Sequence, residues 1–206
     1  SAPSSLMVSA PEFWETLYAD HRDGWEMGGP HPSLVHLVET TPPPRGRVAV
    51  PGCGRGHDAR FLARHGYETV GFDFAAAAVA EARQLASRDG VEVTFEQRDL
   101  FTLPTEYAQA FDGIWEYTCF CAIDPRRRTE YVRAMAAILK PGGWFWACFF
   151  PIRTSGGGPP FPVRKTGVRR RLAGAFRIER EGPPPRPVAA RAAQEWMVHA
   201  VKRSLA

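Results

Sequence analysis

Long hydrophobic runs are missing from this 206-residue chain. The longest, Trp144–Phe150, is the size of a strand and far short of the roughly 20 residues a membrane span needs. Cysteine is scarce: Cys53, Cys119, Cys121 and Cys148 are the four, with no C-x-x-C and no paired zinc spacing. Metal ligation is therefore not expected, and four reduced thiols point to a cytoplasmic protein. The first dozen residues hold no basic segment leading into an apolar one, so no secretory signal is expected. Residues 1–10 read as a disordered leader and 11–206 as a single domain. Internal repeats and low-complexity tracts are also lacking, which excludes a solenoid.

What is present suits one α/β core: 44% hydrophobic and 23% charged residues, with a net charge of +4. Much of the positive excess lies in Arg164, Lys165, Arg169, Arg170 and Arg171, either a solvated helix face or a nucleic-acid surface. Apolar residues at helical spacing mark helices over 11–18 and 31–39, the second stopped by Pro42-Pro43-Pro44. From residue 47 strands and helices alternate. Strands are expected over 47–50, 68–74, 91–98, 111–116 and 144–150, with helices over 58–65, 75–88 and 127–139 between them. That alternation predicts a mostly parallel sheet with right-handed crossovers. A basic helix near 166–173 follows, then strands at 176–181 and 195–202, which form an antiparallel hairpin closing the sheet.

The most informative stretch is Val48-Ala49-Val50-Pro51-Gly52-Cys53-Gly54-Arg55-Gly56-His57-Asp58. A glycine turn between strand and helix lets a ligand approach the backbone, and the helix start favours anionic groups. Asp73 ends the next strand, suitably placed for a ribose diol. Asp99 ends the third, where its carboxylate and the Leu100 amide can meet an adenine ring. The spacing is G-x-G-x-G rather than the dinucleotide G-x-G-x-x-G, which favours S-adenosylmethionine over a dinucleotide. Asp58 fits two roles equally, a partner for the methionine amino group or a favourable charge in the first helical turn.

The chain resembles the thiopurine S-methyltransferase family, and within it the plant-type and microbial thiol and halide methyltransferases. The residues that carry the likeness are Gly24-Trp25-Glu26, Val35–Thr40, Val50–Asp58, Val70–Asp73, Asp99-Leu100-Phe101, Phe111–Pro125, Leu139–Gly143 and Gly157–Phe161. The resemblance implies a Rossmann-like class I methyltransferase fold: a mostly parallel seven-stranded sheet with a C-terminal antiparallel strand and N-terminal lid helices. It implies S-adenosylmethionine contacts from Trp14, Trp25, Gly52, Gly54, Asp73, Phe74, Asp99, Leu100, Glu116 and Tyr117. It further implies an acceptor pocket of Trp25, Tyr117, Phe120, Pro160 and Phe161, with Tyr117 and Trp25 as the catalytic pair. Glu116 stands where the family often has Asp, and Thr118-Cys119 replaces a bulkier pair.

Methyl transfer from a sulfonium is an in-line displacement, so orientation and desolvation suffice for a soft nucleophile such as a thiol, hydrosulfide, thiocyanate or halide. His21, His31 and His36 are the candidate bases for a neutral thiol, with surface or buried helix positions as the plainer reading. The alternatives are a larger thiopurine-like or specialised-metabolite acceptor, a nucleic acid, or a module that kept the fold and lost catalysis. A nucleic-acid enzyme would show Asn/Asp-Pro-Pro-aromatic after the fourth strand, where this chain has Glu116-Tyr117-Thr118-Cys119. Cys121 as a covalent nucleophile is disfavoured by its apolar neighbours. The partner expected is a small or anionic acceptor, with no membrane, no nucleic acid and a monomeric protein.

Overall fold

The computed structural model describes residues 5–21 and 24–204. Residues 1–4 of the expected leader lie outside the described residues. Two helices, α1 (Pro11–Ala19) and α2 (Pro32–Thr40), precede the sheet. Then come β1 (Arg47–Pro51), α3 (His57–Arg64), β2 (Glu68–Asp73), α4 (Ala76–Asp89) and β3 (Thr94–Gln97). The remainder is α5 (Leu103–Tyr107), β4 (Phe111–Tyr117), α6 (Arg128–Ile138), β5 (Leu139–Phe149), α7 (Lys165–Leu172), β6 (Phe176–Gly182) and β7 (Trp196–Lys202). The seven strands form one sheet in the order β3-β2-β1-β4-β5-β7-β6. The first five are parallel; β7 runs antiparallel to β5 and β6, the hairpin that the sequence implies.

Strand alternation splits the core in two. Along β1, Ala49 faces one layer with Phe72, Ile114, Met135 and Phe145, while Val48 and Val50 face the other with Leu34, Leu62, Phe95 and Trp115. Helices cover both faces, so β1 and β2 are buried along nearly their whole length. Asp58 ties three elements together. Its Oδ1 accepts from the His31 backbone N–H at 2.8 Å and its Oδ2 from Trp115 Nε1 at 2.8 Å. Asp58 lies in the first turn of α3, as one of its two expected roles has it, and its bonds add an anchoring role that neither of them includes. Among the described residues, no helix is long and apolar enough to cross a membrane.

Three local expectations change. β3 is shorter than 91–98, because Val91 is drawn back to close α4 through a bond from its N–H to the Ala86 carbonyl, 3.0 Å. β5 is longer, extending back to Leu139, which pairs with Phe111 ahead of a bulge. Residues 7–10 are not a loose leader. Met7–Ser9 forms a 3-10 turn, Val8 is buried, and Trp14 Nε1 donates to the Val8 carbonyl at 2.9 Å.

Candidate active site

A cleft of about 1140 Å3 opens at the C-terminal ends of β1–β4, where open parallel sheets bind ligands. Its floor is the glycine turn and the ends of β2 and β3. Gly52 has φ +60°, and a Cβ there would meet Cys119 Cβ and Sγ at 2.9 Å, so the turn needs a residue without a side chain. Asp73 is buried, and its Oδ2 accepts from Gly54 N–H at 2.9 Å while Oδ1 accepts from Ala75 N–H at 2.9 Å. Burial pushes this carboxyl above the usual range, with the Ala75, Gly54 and Phe74 amides pulling it back. Three amides on a carboxylate with about four acceptor positions leave it room to accept a further donor. Asp99 accepts from Phe101 N–H at 3.0 Å and lines the cleft beside Leu100.

The roof comes from the N-terminal segment. Trp14 and Tyr18 on α1 meet Trp25 edge-to-face, at centroid separations of 5.5 and 5.6 Å. Tyr18 also covers Gly54, where a Cβ would lie 3.1 Å from its hydroxyl. Polar ties fasten this roof to the floor. The Glu15 carboxylate accepts from the Ala76 and Ala77 N–H groups and so caps α4, which has no side-chain cap of its own. Glu26 accepts from Arg55 Nη1 at 3.2 Å and hydrogen-bonds His57 Nε2 at 2.5 Å.

The far end of the cleft holds Phe150, Pro159, Pro160 and Arg191. The Arg191 guanidinium lies 4.8 Å from the Phe150 ring centroid and donates through Nη1 to the Tyr117 hydroxyl at 3.0 Å. Tyr117 in turn donates to Glu195 Oε2 at 2.7 Å. That carboxylate also receives His31 Nε2 at 2.9 Å and the Val188 N–H at 2.8 Å. Burial and the Glu195 charge raise the Tyr117 pKa, so the phenol stays protonated and transmits position rather than accepting a proton. Thr118, at the end of β4 on the cleft wall, has φ +61°, a strained setting for a β-branched residue.

Of the residues singled out by sequence, the cleft brings together Trp14, Trp25, Gly52, Asp73, Phe74, Asp99, Leu100 and Pro160. Gly54 sits behind them under Tyr18, contributing its N–H to Asp73. Four others lie off the cleft. The Tyr117 ring packs against His31 at 4.4 Å, with only its hydroxyl reaching Arg191. Glu116, one residue earlier on the strand, points to the opposite face, where it accepts from Phe120 N–H at 2.5 Å and Tyr131 Oη at 3.1 Å. Burial raises its pKa to about 7. Phe120 packs in the core on Phe149 and Tyr131, and buried Phe161 spends its N–H on the Cys121 carbonyl at 2.8 Å.

None of the three candidate histidines lines the cleft. His31 is fully buried, and its Nδ1 accepts from Ser33 N–H at 3.0 Å, which assigns the ring proton to Nε2 facing Glu195. Cys121 does line the cleft, but burial pushes its thiol up to about 12, which leaves it protonated and unreactive. The residue that sequence reasoning missed is Arg191: a single arginine between alanines carries no motif.

This architecture agrees with what the chain resembles. The family model described as Thiopurine S-methyltransferase matches residues 9–204. Thiocyanate methyltransferase 1 of Arabidopsis thaliana is 38% identical over 153 residues, 73% of this chain and 66% of that protein, so the chain spans a little under two thirds of its length. Thiopurine S-methyltransferase of Shewanella sp. strain MR-4 is 29% identical, covering 82% of this chain and 84% of that protein. Among solved structures, the 1,6-didemethyltoxoflavin-N1-methyltransferase of Burkholderia thailandensis, with bound 1,6-didemethyltoxoflavin and S-adenosylhomocysteine, superposes with TM-score 0.78 at 22% identity. That match covers 99% of this chain and 92% of the other. The Rossmann-like class I methyltransferase fold is thereby established. With the family model spanning nearly all of the sequence, from the 3-10 turn at Met7–Ser9 to the end of β7, the chain belongs to the thiopurine S-methyltransferase family.

Proposed function

We propose that this protein is an S-adenosylmethionine-dependent methyltransferase acting on a small, soft nucleophile: a thiol, hydrosulfide, thiocyanate or halide. The observation that carries the reading is a single cleft joining Asp73 and Asp99 at one end to Arg191 at the other, under an aromatic roof. The residues fit the donor. The remaining acceptor capacity of Asp73 suits a ribose hydroxyl, Asp99 and Leu100 suit an adenine edge, and the side-chain-free Gly52 leaves room for the chain between them. When bound, the donor supplies an activated methyl on sulfur, passed in line to the acceptor.

The protein's own part is orientation and exclusion of water. The Trp14–Tyr18–Trp25 cluster shields the reacting groups. Arg191, whose direct partner is the neutral Tyr117 hydroxyl rather than a carboxylate, attracts an anionic acceptor and strips part of its hydration. A soft anion needs no base, consistent with a cleft into which no candidate histidine projects. A larger acceptor is the second reading. The cleft, at about 1140 Å3, exceeds the roughly 300–1,000 Å3 of ordinary small-molecule sites, which leaves space for a thiopurine-sized ring. The reading takes the acceptor to be a small molecule, not a nucleic acid, and the protein to act as a monomer.

The test is an acceptor panel: iodide, thiocyanate, hydrosulfide, an aliphatic thiol and a thiopurine, each with S-adenosylmethionine. Methylated products are read in the headspace or by chromatography. Volatile methyl iodide, methyl thiocyanate or methanethiol supports the first reading. Turnover of the thiopurine alone moves the assignment to the second, and no turnover of any acceptor contradicts both.

A further inference from the structure

Outside the cleft, α6, α7 and the segment 162–164 enclose a second cavity of about 260 Å3. Its lining includes Arg128, Arg164, Arg170 and Arg171 together with Thr166 and Gly167, and no carboxylate among the described residues. Glu116 acts on Arg128 through its charge, but no acid forms a hydrogen bond or ion pair with these guanidinium groups among the described residues. Arg128 is 6% exposed, and its three hydrogen bonds run to neutral carbonyls: Phe120 at 3.3 Å, Pro162 at 2.8 Å and Phe161 at 3.3 Å. Burial draws its pKa down to about 10, with the neighbouring Arg171 charge lowering it further and the Glu116 charge pulling it back. Arg171 gives Nη1 to the Gly167 carbonyl at 3.3 Å, while its Nε is buried with no partner. Arg164 donates to the Thr154 carbonyl at 2.8 Å.

Cations on the same helix that point elsewhere are matched. Arg169 forms a two-oxygen contact with Glu181 at 2.8 and 3.1 Å, and Lys165 lies 3.6 Å from the Trp196 ring centroid. The cavity thus gathers several guanidinium groups whose hydrogen bonds run to carbonyls. The start of α7 adds to it: Arg164 offers no side-chain cap, so Thr166 and Gly167 bring the positive end of the helix to the cavity wall. A buried guanidinium such as Arg128, with half-buried Arg171 and exposed Arg164 and Arg170 around the same cavity, is costly to leave without an anion, and bidentate guanidinium–oxyanion bonding is the strongest way to supply one.

We propose that this cavity is a binding site for a tetrahedral oxyanion, either inorganic phosphate or the phosphoryl group of a small molecule. The volume, about nine times the roughly 30 Å3 share of a water, accommodates the anion and part of what carries it. The site is separate from the donor cleft and independent of the acceptor chemistry proposed above.

The experiment is calorimetric titration of the full chain with inorganic phosphate and with phenyl phosphate, against sodium chloride at matched ionic strength. It is repeated on the Arg170→Gln/Arg171→Gln double variant. Both side chains are at least partly exposed, and their replacement leaves the core untouched. An Arg191→Gln protein serves as control for binding in the cleft. The expected result is saturable phosphate binding that weakens by at least about tenfold in the double variant and persists in Arg191→Gln. Phenyl phosphate binding as tightly as phosphate identifies a phosphoryl group on a larger molecule, and phosphate alone identifies the free ion. Heats no larger than chloride gives, or binding unchanged in the double variant, would overturn the proposal.

Discussion

The floor and the roof of the cleft are built on different physics. The floor is backbone: Gly52, the amides that hold Asp73, and the ends of parallel strands locked between two helical layers. The roof is side chain: three rings in edge-to-face contact and two carboxylates, Glu15 and Glu26, reaching across to borrow partners from α4 and α3. A floor of this kind is fixed before any ligand arrives, because moving it means breaking the sheet. A roof fastened by a few partly exposed polar contacts opens at much lower cost, which suits a part that must admit one molecule and release another.

Breaking the scaffold under the floor has the largest expected effect. Asp58→Ala leaves Trp115 Nε1 and the His31 N–H unpaired in the interior and should lower unfolding free energy by about 3 kcal/mol, read by urea denaturation. Since Asp58 lines no part of the cleft, the folded fraction should bind donor normally. Glu116 sharpens the same point through pH. Its carboxyl is raised from 4.5 to about 7, so the folded state holds a proton that the unfolded state has lost, and stability falls as pH rises from 4.5 to 7. Glu116→Gln should remove a cost of roughly 3 kcal/mol at pH 8 and flatten that limb of the curve, as followed by thermal melts across pH.

At the acceptor end the effect is smaller and selective. Arg191→Gln should raise KM for thiocyanate or iodide by about tenfold to a hundredfold while leaving S-adenosylhomocysteine affinity within about twofold. A variant that loses both equally would show that Arg191 holds the cleft together rather than serving the acceptor. The least costly change is in the roof: Glu15→Ala removes the borrowed cap of α4 and should lower stability by about 1 kcal/mol, with a comparable loss in donor affinity.

How much of this was legible in the sequence follows from how local each feature is. The glycine turn, Asp73 and Asp99 are read directly, because strand, turn and helix within a few residues define them. The sheet was legible for the same reason, down to the closing hairpin of β6 and β7. Glu116 and Tyr117 do not line the cleft: a one-residue step along the strand turns Glu116 to Tyr131 on the opposite face, and Tyr117 spends its hydroxyl on Glu195 and Arg191. Phe120 and Phe161 carry the family pattern yet are buried as core. Residues 7–10 look featureless, since their role rests on a carbonyl that Trp14 uses. Arg191 was invisible, because its meeting with Tyr117, 74 positions earlier, exists only after the last hairpin folds back over the sheet.

The most direct test of the account is calorimetric titration of S-adenosylhomocysteine into the wild-type chain and into Asp73→Ala, with circular dichroism confirming that both are folded. The account predicts one saturable site in the wild type, and a loss of more than about a hundredfold in affinity when the carboxylate at the end of β2 is removed. Undiminished binding to a folded Asp73→Ala protein would contradict it.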